Sequence, residues 1–194
     1  MVVTPLVLRS PRLLLRPLCA EDAAPLAAYR SIPEVARFQS WESFDLADAV
    51  RLVADQAKVV PDTPGTWLQL AIVFSTSAAL IGDCGIHFCD DDLQQVELGV
   101  TMSPTHQGQG MAAEALGSVV EYVFDRLGKH RVTAVTDAEN HAAAALFRRL
   151  GFRQEAHYVE NVWFKGAWGS EYLFALLRRE WEARPINSRR TSKP

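Results

Sequence analysis

The stretch SPTHQGQGMAAEA, residues 103–115, constrains the fold of this chain more than any other segment. It follows QQVELGVTM (94–102), which reads as a strand. It precedes a helical pattern, about 109 to 127, in which Met111, Ala115, Leu116, Val119, Val123 and Leu127 share one face. Between strand and helix stand Gly108, Gly110 and Ala112, small enough for backbone N–H groups to approach an anion at the positive end of the helix. Two phosphate-binding frames overlap here. Gly108, Gly110 and Ala113 satisfy a loose G-x-G-x-x-A, the turn that seats a dinucleotide pyrophosphate, whereas Gln107, Gly110 and Ala112 spell Q-x-x-G-x-A.

Context separates the two frames. A dinucleotide fold places its fingerprint in the first βα unit and builds two βαβαβ halves around it. Here the turn comes after half the chain, behind TWLQLAIVF (66–74), ALIGDCGIHFCD (79–90) and 94–102, three strands expected to form a meander. One βα unit follows, HRVTAVTD (130–137) with NHAAAALFRRL (140–150), and then a closing strand pair, FRQEAHYVENVWF and WGSEYLFALLR. Asp137 could imitate the ribose-binding acid, but no second mononucleotide half remains. Upstream, 6–18 reads as a strand or two short ones, 20–31 as a helix and 32–38 as a helical turn. DLADAVRLVADQAKVV (45–60) is amphipathic, with Leu46, Val50, Val53, Ala54 and Ala57 on one face. The pattern predicts one α+β domain over 1–183, with 184–194 as a flexible tail.

Hydrophobic residues make up 48% and charged residues 22%, a balance that supports a globular core. The net charge is −3 and the basic residues are scattered, so no basic face for nucleic acid is expected. No apolar run is long enough for a membrane span and no signal peptide is evident, which makes the cytoplasm the expected address. Cys19, Cys84 and Cys89 cannot form a disulfide framework. Strand alternation sends Cys84 to one face and His87 with Cys89 to the other, so no metal site is expected.

VELGVTMSPTHQGQGMAAEAL (96–116) resembles the acyl-CoA signature of the GNAT superfamily of N-acetyltransferases, particularly its RimJ/RimL-type branch. The match runs through Glu97, Leu98, Gly99, Met102, Pro104 and Gly108 to Gly110, Ala112, Glu114 and Ala115. ENHAAAALFRRLGF (139–152) resembles the second signature, in the correct order, and similarity to the first strand, short helix and closing strand extends it over nearly the whole chain. The resemblance implies a mixed, mostly antiparallel central sheet flanked by helices and splayed at a bulge between the family's fourth and fifth strands, here 94–102 and 130–137. It implies acetyl-CoA as co-substrate, with its pyrophosphate on the backbone amides of Gln107, Gly108, Gln109, Gly110, Met111 and Ala112. Val100, Thr101 and Met102 would offer main-chain contacts to the pantetheine, Asn140 a hydrogen bond, and Phe147 packing near the thiol. On their own, Asn140 reads equally as a helix N-cap and Phe147 as a core aromatic.

Transfer to an amine needs the amine neutral, because an ammonium has no lone pair. A carboxylate beside the thioester can take that proton directly or through a water. Glu97 is the candidate base, since VELGV is apolar enough to raise a carboxyl pKa; its other reading is an outward-facing strand charge. His87 and His106 are alternatives. The amide of Val100 is placed to hold a carbonyl oxygen that turns anionic. Many members carry tyrosine where this chain has Phe147, and the branch often carries serine where it has Ala143, so a dedicated acid would fall to Tyr158 or Tyr172, if to any. That departure motivates a second expectation, an acyl-CoA sensor without turnover. The acceptor amine, on a protein N-terminus or a small molecule, would meet the early helices and the last loop, with Trp41, His87 and Trp163 as candidates. Closing strands of this kind are compatible with a homodimer.

Overall fold

The computed structural model describes residues 5–185 and builds them on one eight-stranded sheet, ordered β1-β2-β3-β4-β5-β6-β8-β7. Most of the expected tail therefore lies outside the described residues. Segment 6–18 makes two short strands, β1 (Leu8–Arg9) and β2 (Leu13–Pro17), with the Ser10 hydroxyl accepting from Leu13 N at 3.1 Å in the turn between them. The expected meander is β3 (Thr66–Phe74), β4 (Leu80–Phe88) and β5 (Gln95–Met102). The chain then crosses through α4 (Met111–Glu121) to β6 (Arg131–Asp137), which joins β5 in parallel. After α5 (His141–Arg149), the hairpin of β7 (Arg153–Phe164) and β8 (Ala167–Leu177) sets β8 antiparallel against β6, and α6 (Arg178–Glu182) follows. Every other strand pairing is antiparallel, so the sheet is mixed as expected. Among the described residues no helix is long and apolar enough to cross a membrane.

Strand alternation sorts the helices onto two faces. Leu70 and Ile72 face the main core, where α4 and α5 bury Met111, Leu116, Val119 and Phe147. Ala71 and Val73 face the other side, covered by α1 (Ala23–Arg30), α2 (Pro33–Ala36) and α3 (Leu46–Gln56). Each large side chain buried in this way contributes about 1.5–3 kcal/mol. On α3 the buried face differs from expectation. Leu46 and Val50 are 54% and 53% exposed, while Ala49 is buried and Leu52 and Val53 pack inward. The apolar residues of this helix span more than one stripe, and contact with α1 selects which of them turns in. Helix α4 begins at Met111 rather than 109, because Gly110 is left-handed at φ +77°. It ends early as well, where Leu127 N donates to Tyr122 O and the wider turn over 122–126 buries both Val123 and Phe124.

The splay is visible in the register. β5 and β6 pair only at Gln95↔Arg131, Val96↔Val132 and Glu97↔Thr133. Beyond that rung β5 stays with β4 as far as Met102↔Gly82, and β6 stays with β8 as far as Asp137↔Glu171. The β4–β5 register runs unbroken, so the bulge expected in β5 is not there against β4. The strands part because each follows its outer neighbour through the twist of the sheet.

A carboxylate near the start of α4 ties the helix to the turn between β1 and β2. Glu114 accepts from the Ser10 hydroxyl (2.7 Å), from Arg12 N (2.8 Å) and from Arg12 Nε (2.6 Å). Burial pushes its carboxyl upward, but the donors from Ser10 and Arg12 outweigh that and hold it below its ordinary value. A lowered folded-state pKa contributes stability that is present above the unfolded pKa and lost as pH falls through the folded one. Glu114→Gln should therefore cost roughly 1–2 kcal/mol at neutral pH. In thermal melts run down to about pH 3, its difference from the parent protein should shrink as the carboxylate protonates.

Candidate active site

Where β5 and β6 part, two cavities open side by side. The first, of about 270 Å³, is floored by Leu98 and Gly99 of β5 and by Val135–Asp137 of β6. Phe38, Gln39 and Ser40, which follow α2, wall one side of it; Val162 and Phe164 of β7 and Glu171 of β8 also line it. The second, of about 380 Å³, runs along Val100, Thr101 and Met102 to the turn at 106–112 and the exposed face of α5. Phe38, Gln39, Val100, Asn140 and Ala143 belong to both. The two are contiguous and meet at these residues.

The turn at the far end has the character of an anion cradle. Gly108 and Gly110 stand at φ +72° and +77°, the left-handed region that an L side chain enters at a cost. A Cβ on Gly108 would meet nothing within 4 Å, so the space beside it is open. Among the described residues, the backbone N–H groups from Gly108 to Ala113 donate to no other group, and they converge with the N-terminus of α4. The turn is held from behind: Gln107 Nε2 donates to Met102 O at 3.0 Å, Gln109 Nε2 to Thr105 O at 2.9 Å, and Arg12 Nη1 to Gln109 O at 3.2 Å. Arg149 of α5 lines the same cavity and adds a positive charge. A run of unpaired amides, two close-approach glycines and an arginine suit a diphosphate.

Of the residues singled out for cofactor contact, Val100, Thr101, Met102, Gln107, Gly108, Gly110, Met111, Ala112 and Asn140 line the second cavity. Gln109 lines neither cavity and serves the turn itself. Beyond Glu97 the β6-facing edge of β5 is unpaired, leaving main-chain groups free for another extended chain. Asn140 uses Oδ1 to accept from Ala143 N (3.1 Å), the N-cap of α5, while its amide nitrogen has no protein partner among the described residues. Phe147 lines the first cavity and packs on Phe152 and Phe174, at 5.4 and 5.8 Å between ring centroids.

Glu97 stands on the last rung before the splay, opposite His87 on β4 and Thr133 on β6. It is half-buried, and burial raises its carboxyl above its ordinary value; nearby His87 pulls it down and Glu171 pushes it up. Glu97 is not among the residues that line either cavity, whereas Glu171, close enough to act on it electrostatically, lines the first. His87 also lies off the cavities, with its ring stacked on Trp67 at 4.8 Å. His106 lines the second cavity and shares a 3.0 Å hydrogen bond with the Thr105 hydroxyl.

Of the residues singled out for the acceptor, Trp41 and Trp163 do not line the first cavity, whereas their neighbours Phe38, Gln39, Ser40, Val162 and Phe164 do. Trp41 donates Nε1 to Arg30 O (3.1 Å) and stacks over the Arg30 guanidinium at 4.4 Å. That guanidinium pairs with fully buried Asp83 of β4, which also accepts from Tyr29 and Gln69. Trp41 thus anchors the segment whose Phe38, Gln39 and Ser40 face the cavity. Trp163 is 61% exposed, because alternation along β7 turns Val162 and Phe164 inward and Trp163 out. Neither Tyr158 nor Tyr172 lines the first cavity; Tyr172 packs between His157 and Phe174. Glu171 and Arg149 carried no distinguishing signal in sequence, since each becomes a lining residue only through pairing of distant strands and helices.

A sheet split between its parallel strands, with an amide cradle at the crossover helix, is the architecture of an acyl-group transferase. The chain belongs to the GNAT acetyltransferase domain family, whose model matches residues 12–153, and it is an acetyltransferase. It is 30% identical over 172 residues to the uncharacterized N-acetyltransferase p20 of Bacillus licheniformis, covering 88% of this chain and 95% of that one. A GNAT-family acetyltransferase from Bacillus anthracis shares the fold with a TM-score of 0.80 at 21% identity, over 90% of this chain and all of the other. So does the spermidine N-acetyltransferase of Vibrio cholerae, solved in complex with CoA and spermine, with a TM-score of 0.72 at 20% identity over 87% of this chain and 96% of that one.

Proposed function

We propose that the protein is a RimJ/RimL-type N-acetyltransferase that moves an acetyl group from acetyl-CoA to a primary amine within a ternary complex. The observation that carries this reading is the pair of contiguous cavities, which meet at Val100, Asn140 and Ala143. Two ligands can lie end to end there, their reacting groups brought together where the cavities meet. Bound acetyl-CoA supplies the acetyl group as a thioester; the rest is the work of the chain. The amides from Gly108 to Ala113, with Arg149, hold the diphosphate end, and the free edge of β5 steers the pantetheine inward. The amide of Val100, a residue shared by both cavities, is the candidate donor to the oxyanion. Glu97, raised by burial, takes the amine proton directly or through a water. Phe38, Gln39, Val162 and Phe164 line the acceptor end.

Mass spectrometry of the purified protein for carried-through CoA, followed by thiol release with a broad panel of amines, tests this reading. Thiol release dependent on one class of primary amine is expected, and a protein that neither binds CoA nor releases thiol would overturn it. Asn140 offers a sharper check, because its two functions sit on different atoms. Asn140→Asp keeps the cap oxygen and loses the amide donor. It should leave the melting temperature nearly unchanged while weakening CoA binding by about tenfold in calorimetry, near 1.4 kcal/mol.

A further inference from the structure

The turn of the β7–β8 hairpin contains a backbone outlier with an unexpected reach. Lys165 and Gly166 close the hairpin between Phe164 and Ala167, at φ +51° and +84°. A two-residue turn with both positions left-handed matches the strand twist and favours Asn-Gly or Asp-Gly, not a lysine at the first position. Such an outlier points toward a role for the side chain held there. The Lys165 ammonium reaches the segment that follows α2, donating to Ala36 O, at the end of α2, and to Trp41 O at 2.7 Å. These carbonyls bracket Phe38, Gln39 and Ser40, the residues that wall the cavity on that side. Phe164, which precedes Lys165, lies on the other side, with its ring 4.9 Å from the ammonium.

No other hydrogen bond or ion pair among the described residues ties this hairpin to the first sixty residues. The nearby Arg37–Glu139 pair joins the same segment to the turn before α5, but both side chains are largely exposed, at 62% and 73%, where an ion pair contributes little. Trp41 is fastened to α1 on its own side of the cavity. The two walls of the first cavity are therefore bridged by Lys165.

We infer that Lys165 is a positioning residue for the acceptor, a clamp that holds the 36–41 segment at a fixed distance from the β7–β8 hairpin and so sets the width of the acceptor mouth. This rests on the reading of the first cavity as the acceptor end. The second cavity shares Phe38 and Gln39 with the first but takes its glycine turn and α5 from elsewhere in the chain, so loss of the clamp bears chiefly on the acceptor and little on CoA.

Lys165→Asn separates clamp from scaffold, because asparagine tolerates the left-handed turn and lacks the reach. Its melting temperature should equal or exceed that of the parent protein. Its KM for the amine should rise about tenfold, with kcat and the CoA dissociation constant within about twofold, the pattern of lost acceptor binding. Amides of residues 37–41 should exchange with deuterium faster. Lys165→Arg, which keeps a cation able to reach two carbonyls, should restore both the amine KM and the exchange rates. Unchanged exchange in Lys165→Asn, equal losses toward amine and CoA, or failure of arginine to rescue would each overturn the clamp. A parent protein that binds CoA yet acetylates no amine would overturn the acceptor reading instead, and the exchange difference at 37–41 distinguishes the two failures.

Discussion

Gly110→Glu should lose CoA binding by at least about a hundredfold, near 2.7 kcal/mol, while remaining folded. Gly110 is left-handed at φ +77°, and a Cβ built on it would meet only the Arg12 guanidinium, at 3.7 Å. The substitution therefore costs the fold backbone strain, on the order of 1–2 kcal/mol, with no steric collision in the core. Its cost to binding is larger and of another kind. The new carboxylate stands among the unpaired amides from Gly108 to Ala113, takes their hydrogen bonds and repels a second anion. Gly110→Ala carries the same strain without the charge, so it should lose much less binding at a similar melting temperature. Tight CoA binding by the glutamate variant, measured by calorimetry, would remove the cradle from the proposal.

Glu97→Gln should lower kcat by about 10²–10⁴-fold, the range of a positioned general base. It should also erase the acid limb of the pH profile. In the parent enzyme, activity should rise with pH as Glu97 loses its proton. Burial and the nearby Glu171 carboxylate, against the pull of His87, place that rise above the ordinary glutamate value. The stability effect has the opposite sign from that of Glu114. A carboxyl whose folded-state pKa is raised holds its proton more tightly when folded. Its contribution is complete below the unfolded pKa and lost as pH rises through the folded one. Glu97→Gln should accordingly be as stable as the parent at neutral pH, or more so, while losing activity. A glutamine variant that keeps the parent rate and its pH dependence would shift the base to another group, with His87 the first to test.

Local patterning carried most of the architecture. The period of two in 66–74 and 94–102 and the apolar face around Leu116 and Val119 are local properties, and the strands stand where those periods put them, while the helix keeps its face but is shorter at both ends. Gly108 and Gly110 were equally legible, because a strand-to-helix turn that must enter the left-handed region has few other residues to use. The buried face of α3 was not legible. Its apolar residues admit more than one stripe, and only contact with α1 chose Ala49, Leu52 and Val53.

The acceptor end shows the same division at higher resolution. The sequence pointed to RFQSWESFD (37–45) and to the segment around 163–168, yet the conspicuous tryptophans there, Trp41 and Trp163, do not line the first cavity while Phe38 and Phe164 do. Composition ranks residues by size and chemistry, whereas direction follows from register, and register depends on the partner strand. By itself the sequence determined the order of elements, the glycine turn before α4 and the family to which they belong, since each rests on contacts within a few residues. The tertiary structure alone decided that β5 and β6 part after Glu97 and that Glu171 faces the opened floor. It alone brought Lys165 across to Ala36 and Trp41, more than a hundred residues away in the chain. Those features depend on long-range pairing, which no local pattern encodes.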